Sequence, residues 1–317
     1  MKQQSSATHQ LTPVISSPPP ARSGLGWGLV GVAAFSFTVP FTRVAAHDGL
    51  SALFIGSGRA VVAALLAVVA LSVTRQSLPS RVQWARLTVV AGGVVVGFPL
   101  LTSYALTTAP ASHGAVVIGL LPAATAVMAV LRGKERVATS FWVSAALGAA
   151  AVVGFAALQN GGLENGGLGS LHWADVLLFG AVVAAAMGYA EGGLLARELG
   201  AWQTVSWALV LSGPLMVTLT IVSVMNEIPR GTPVQWLAFA YLCVVSMYLG
   251  FFAWYRGLAV GPMSQVSQVQ LVQPVLSILW AAIILREHLT WPTVLGGAVV
   301  IACARFAVRA RLGKRAR

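Results

Sequence analysis

Two stretches decide the fold: YALTTAPASHGAVVIGLLPAATAVMAVLRGKERV at 104–137 and RGLAVGPMSQVSQVQLVQPVLSILWAAIILREHL at 256–289. They align without a gap at an offset of 152 residues, which sets Leu106 on Leu258, Pro110 on Pro262, Ser112 on Ser264, Pro122 on Pro274 and Glu135 on Glu287. The same offset carries Gly28 onto Gly180 and Trp84 onto Trp236. Leucines and valines coincide by chance in so apolar a chain. Prolines, a tryptophan and a glutamate in register do not, and the chain reads as an internal repeat.

The rest of the sequence says where that repeat resides. Of 317 residues, 57% are hydrophobic and only 9% charged, and the mean hydropathy is +0.81. A water-facing surface needs roughly 25% charged residues, so a soluble globular protein is excluded, and the apolar content excludes a disordered one. Ten apolar blocks can be marked, near 25–46, 51–73, 84–106, 112–131, 138–158, 174–195, 203–225, 234–256, 263–285 and 291–312. Each is about as long as the ~20 residues a membrane-spanning helix requires. Trp27, Trp84, Trp142, Trp173, Trp202, Trp236 and Trp291 stand at or near block ends, where indole rings suit the headgroup region. The expected fold is an all-α polytopic membrane protein of ten transmembrane helices.

Ten spans divided by the repeat give five helices per copy. An odd number forces the second copy to cross the membrane in the opposite sense, so the repeats are inverted. This is an architecture of secondary transporters, whose substrate sites lie near the midplane between the copies. The expected organisation is a disordered cytoplasmic tail at 1–23, a first repeat at 24–158, a Gly-rich external linker at 159–173, a second repeat at 174–312 and a basic tail at 313–317. The linker has neither GxGxxG spacing nor a Walker lysine and is not a phosphate cradle.

The net charge of +12 might suit a nucleic-acid partner, but its distribution argues otherwise. Basic residues fall in short runs between apolar blocks. With a cytoplasmic N-terminus, fifteen Lys and Arg collect on the inner side against three, Arg43, Arg230 and Arg286, outside. That bias places both termini in the cytoplasm of a plasma-membrane protein. Cys243 and Cys303 lie in apolar blocks without metal-ligand spacing, and no metal or cofactor is expected. The residues before Arg22 contain no apolar core of a signal peptide.

On these features the chain resembles an EamA-type member of the drug/metabolite transporter superfamily across essentially all of 25–312. The resemblance is carried by Ala105–Leu106 and Gly257–Leu258, by Pro122 and Pro274, by Lys134–Glu135 and Arg286–Glu287, and by Arg59 in the second span. Phe35–Ser36 stands where many relatives have tryptophan followed by a small residue, a modest departure. The resemblance implies a ten-helix basket with a central cavity to which Ser36 contributes, and export of amino acids or related metabolites.

Several polar residues inside the spans are candidates for the site. Pro122 and Pro274 each lie about ten residues, or ~15 Å, into a span, and each frees a carbonyl four residues earlier. They are either helix breaks beside a substrate or packing kinks. The ninth span reads MSQVSQVQLVQPV, and Gln265, Gln268, Gln270 and Gln273 exceed what interhelical hydrogen bonding requires. They are expected to line the cavity. Arg59 can bind a substrate carboxylate, snorkel outward or pair with Asp48. Glu191 can pair with Arg197, meet water, carry a coupling proton or anchor a substrate ammonium. Tyr241, Tyr248 and Tyr255 recur every seven residues and would share one face, with Tyr104 and Tyr189 on matching faces elsewhere. His113 is read as an interfacial loop residue.

No P-loop occurs, so ATP does not drive this chain directly. The scattered histidines and the two aspartates, Asp48 and Asp175, offer neither an H-E-x-x-H zinc site nor clustered aspartates for magnesium, so an enzyme is not expected. The expected function is secondary transport of a small-molecule substrate across the bilayer by alternating access. A lipid flippase or a sensor on the same scaffold is the alternative.

Overall fold

The computed structural model describes residues 22–133, 139–159, 172–260, 266 and 269–312, and among these every regular element is helical. The apolar blocks of the sequence map onto helices in chain order. A first run consists of α1 (Arg22–Ser36) and α2 (Thr38–Ala46), interrupted at Phe37, followed by α3 (Ala52–Val73). The next run is α4 (Arg81–Val90), a π-helical stretch Ala91–Gly97 and α5 (Phe98–Thr108). Then come α6 (Ala111–Ile118), α7 (Leu121–Gly133) and α8 (Thr139–Gln159). The second half has α9 (Trp173–Leu199), α10 (Ala201–Asn226) and α11 (Pro233–Tyr241), which passes through a π-helical stretch Leu242–Leu249 into α12 (Gly250–Val260). A 3-10 turn at Gln270–Val272 leads into α13 (Gln273–Ile284), and α14 (Trp291–Leu312) closes the chain.

Local chemistry sets several of these starts. Ser80 accepts from the backbone N–H of Gln83, whose side chain accepts from the backbone N–H of Ser80. Thr232 and Gln235 make the same reciprocal pair ahead of α11. Each box satisfies two backbone donors that a helix start leaves orphaned. The two boxes are 152 residues apart, and the π-helical stretches after them begin at Ala91 and Leu242. The sequence offset therefore reappears in backbone geometry.

Equivalent helices also pack on one another, and they run antiparallel. Ser51, at the start of α3, hydrogen-bonds Ser223 near the end of α10 at 2.9 Å. Thr220 donates to Ser57 at 2.9 Å, and Gln203, near the start of α10, donates to Gln76 just past the end of α3 at 3.3 Å. Likewise Gly148 of α8 lies against Cys303 of α14 while Gly296 lies against Phe155. Close approach is what small residues allow between helices in a bilayer, where lipid is as apolar as leucine. At Gly93 an added Cβ would come within 2.3 Å of the Ala184 carbonyl oxygen.

Seven helical runs among the described residues are long and apolar enough to cross a membrane: 24–46, 52–73, 81–108, 111–132, 173–199, 201–226 and 233–260. Three shorter apolar helices, at 139–155, 270–284 and 291–306, occupy the remaining block positions. His113 corrects the sequence reading. It lies within helix α6 and is buried, because the helix begins at Ala111 directly after Pro110.

Candidate functional site: a central cavity and a charge network

The two π-helical stretches face each other across the middle of the bundle. Val94 from the first, and Ser246 and Met247 from the second, border one cavity. Phe35 and Thr38 reach it from either side of the α1–α2 interruption, Arg59 from α3, Tyr189 from α9 and Gln273 from the start of α13. Its empty volume is about 380 Å³, but a water-sized sphere can be centred over only about 20 Å³ of it. That is room for about one water. The central cavity is narrow.

Arg59 dominates this cavity. It is 1% exposed, Nη2 donates to Thr102 at 3.3 Å, and Nε has no hydrogen-bond partner. Asp48 does not pair with it, being exposed, with its carboxylate 3.0 Å from Nδ1 of His47. No ion pair joins Arg59 to a carboxylate among the described residues. Thr38 and Ser246 share a hydrogen bond of 2.7 Å across the same space. Tyr189 stacks on Phe35 with ring centres 6.3 Å apart, and Oε1 of Gln273 is buried without a partner.

The other sequence candidates fall elsewhere. Ser36 is buried at the joint between helices: its Oγ donates to the Ala33 carbonyl at 2.7 Å and accepts from Trp280 Nε1 at 3.0 Å. Its own carbonyl accepts from Ser277 at 2.7 Å. It is not among the residues bordering the cavity. Tyr104 is 46% exposed, on an outer face of α5. Gln270 is buried with both amide atoms unpartnered, away from the cavity lining. Gln265 and Gln268 lie outside the described residues.

The tyrosine stripe is corrected for a physical reason. Tyr241 donates to the Ala34 carbonyl at 3.0 Å, Tyr248 bonds Ser206 at 3.1 Å, and Tyr255 donates to the Gly188 carbonyl at 3.2 Å. Those partners belong to three different helices. A seven-residue spacing keeps one face only at 3.6 residues per turn, and the wider π turns between these tyrosines rotate the phase. The residues that replace them around the cavity, Thr38, Ser246 and Phe251, carried no periodic signal in the sequence.

Both proline positions coincide with interruptions. α6 ends at Ile118, the chain turns through Gly119 and Leu120, and Pro122 is the second residue of α7. Pro274 is the second residue of α13, directly after the 3-10 turn. The two interruptions touch, since a Cβ at Gly119 would stand 3.3 Å from Pro274 Cβ.

Charge is concentrated toward the two ends of the bundle. Glu191 is 3% exposed and takes Arg86 Nε on one carboxylate oxygen and Arg132 Nε, at 2.7 Å, on the other. Arg86 continues to Glu198 through Nη1. The network joins α4, α7 and α9. Arg197, one of the partners the sequence allowed for Glu191, instead donates to the Leu258 carbonyl at 3.4 Å. About 24 Å away along α9, His113 Nε2 and Asp175 Oδ1 form a buried hydrogen bond of 2.6 Å. Nearby, Glu287 accepts from the backbone N–H groups of Ala111 and Ser112 at 2.7 and 2.9 Å. A carboxylate there satisfies two orphan donors and meets the positive end of α6. His113 and Asp175 are 62 residues apart in sequence, and no local spacing announces the pair.

This repeated, membrane-crossing architecture agrees with comparison to known proteins. The EamA-like transporter family model matches residues 22–157 and again 172–309. The chain belongs to the EamA-like transporter family. It is 44% identical over 287 residues to the uncharacterized transporter YdeK of Bacillus subtilis (strain 168), covering 90% of this chain and 97% of that one. A crystal structure described only as that of a protein shares the fold. Its TM-score is 0.60 at 19% identity, over 94% of this chain and 100% of the other. This EamA-family member is therefore a multi-pass membrane transporter, set in a bilayer and acting on small molecules.

Proposed function

We propose that the protein is a secondary transporter for small carboxylate-bearing metabolites, amino acids among them, which it exports by alternating access through the central cavity. The observation that carries this reading is Arg59. A buried guanidinium with an unpartnered Nε, and no carboxylate against it among the described residues, is costly to maintain. An anionic group on the solute would complete it, and Arg offers a planar fork matched to a carboxylate. Gln273, and the Thr38 and Ser246 hydroxyls, supply uncharged polar contacts for the rest of the solute.

The proposed frame is ten spans in two inverted five-helix repeats, 24–158 and 174–312, with the three shorter helices crossing as well. Antiparallel packing of α3 on α10 and of α8 on α14 supports it, as do the touching interruptions at Gly119 and Pro274. The Lys and Arg bias supports cytoplasmic termini in a plasma membrane. In this frame the Arg86–Glu191–Arg132 network closes the inner side. The narrow cavity is then one stage of a cycle in which either repeat rocks to admit solute.

The test is a thermal-shift panel on the purified protein, pairing amino acids and other small carboxylates with their amides and methyl esters. At least one carboxylate is expected to stabilise the wild type while its ester does not, and Arg59→Gln should remove the response. Equal stabilisation by acid and ester, undiminished in Arg59→Gln, would overturn the assignment.

A further inference from the structure

A second cavity system lies on the flank of the bundle, away from the central site. Two grooves meet at Met128 between α7 and α9, one of about 750 Å³ and one of about 530 Å³. From Leu120 to Arg132 the joint groove follows α7 for about 18 Å at 1.5 Å per residue. Its opposite wall runs in the same direction, from Phe179 to Glu191 on α9. The half beginning at Leu120 is lined entirely by apolar side chains, including Val127 of α7 and, from α8, Ala145. Only the far end is charged, at Arg132 and Glu191. Phe179, Met187 and Leu131 are exposed along it, so the groove opens sideways.

These dimensions match one molecule of a single leaflet. Half of a ~30 Å hydrocarbon core is ~15 Å, close to the length of the groove. Its apolar end stops at the Gly119–Leu120 interruption in mid-span, and its charged end is the last turn of a membrane-crossing helix. Arg132 is 58% exposed, and only its Nε is engaged, by Glu191. The Nη pair has no bond among the described residues. An exposed guanidinium at headgroup depth is suited to a phosphate that carries no cationic group beside it.

We propose that this groove is a binding site for an anionic phospholipid, with one acyl chain between α7 and α9 and the phosphate on Arg132. The site is separate from the central cavity and does not depend on which solute is carried.

Native mass spectrometry of the full-length protein, exchanged with phosphatidylglycerol or phosphatidylcholine at equal mole fraction, tests this directly. The wild type should retain one phosphatidylglycerol molecule with about fivefold preference, the scale of one cation at a membrane surface. Ala124→Phe and Ala145→Phe fill the groove from α7 and from α8, and each should abolish retention. Their unfolding temperatures identify a variant that has lost its fold, and the other variant then carries the test. Arg132→Gln should keep a bound lipid but lose the preference between headgroups. Retention undiminished in a folded groove-filling variant would overturn the proposal. So would equal retention of the two lipids by the wild type, or a preference that survives Arg132→Gln.

Discussion

The two ends of the bundle are closed by different chemistry. At one end, Glu191 is held by two guanidinium groups from separate helices, so the closure is ionic. At the other, Glu287 caps a helix through backbone donors while Asp175 bonds a histidine, so the closure rests on hydrogen bonds to a helix start and an imidazole. The repeat does not copy the first arrangement: an offset of 152 residues takes Arg86 to Ala238, Arg132 to Ile284 and Glu191 back to Val39. It does copy the capping boxes and the π-helical stretches. Backbone features that build the frame are shared between the halves, whereas the charges that distinguish its two sides are not. In the proposed inverted frame, identical units would have two equivalent gates, and this divergence would make them unequal.

The comparison can be broken most severely at Glu191. Replacing it with Gln leaves Arg86 and Arg132 without their shared carboxylate, and loss of one partner from a buried pair costs about 3–5 kcal/mol. Arg86 and especially Arg132 reach solvent, so the lower end of that range is expected. Thermal unfolding of Glu191→Gln should show a large drop, with faster labelling of a cysteine introduced at Met187. No change in either would remove the ionic closure from the account.

At the opposite end, His113→Gln should cost less, about 1.5–3 kcal/mol for a hydrogen bond to a charged group. Chemical denaturation in detergent would measure it. A loss as large as that of Glu191→Gln would show the two ends to be energetically alike. Glu287→Gln keeps one acceptor at the start of α6 and removes the charge, so about 0.5–2 kcal/mol is expected from the same measurement. Smallest is the effect of raised ionic strength, which should weaken the exposed Arg132 contribution by less than about 1 kcal/mol. It should leave the buried His113–Asp175 bond unaffected, as paired unfolding scans of wild type and Arg132→Gln would reveal.

The family and the helical, membrane-crossing character of the chain were legible in its sequence because hydropathy and a gapless repeat are carried by many residues at once. The proline and capping positions follow the same offset. Side-chain partnerships were harder to read. Glu191 meets Arg86 and Arg132 from 105 and 59 residues away, while Arg197, six residues on, turns elsewhere. His113 reads from the sequence as a loop residue, whereas α6 begins directly after Pro110 and contains it. The tyrosine face failed because a hydropathy pattern does not reveal a π-helical stretch. Arg59 could be located in its span, but its lack of a carboxylate partner is a fact of packing.

The central claim is that Arg59 receives the carboxylate of the transported solute. Counterflow in proteoliposomes, using the carboxylate that stabilises the wild type and comparing Arg59→Gln and Arg59→Lys, tests it most directly. Loss of a buried charge partner predicts uptake about 30-fold or more weaker for Arg59→Gln at subsaturating solute, with partial rescue by Arg59→Lys. Counterflow by Arg59→Gln equal to that of the wild type would contradict the account.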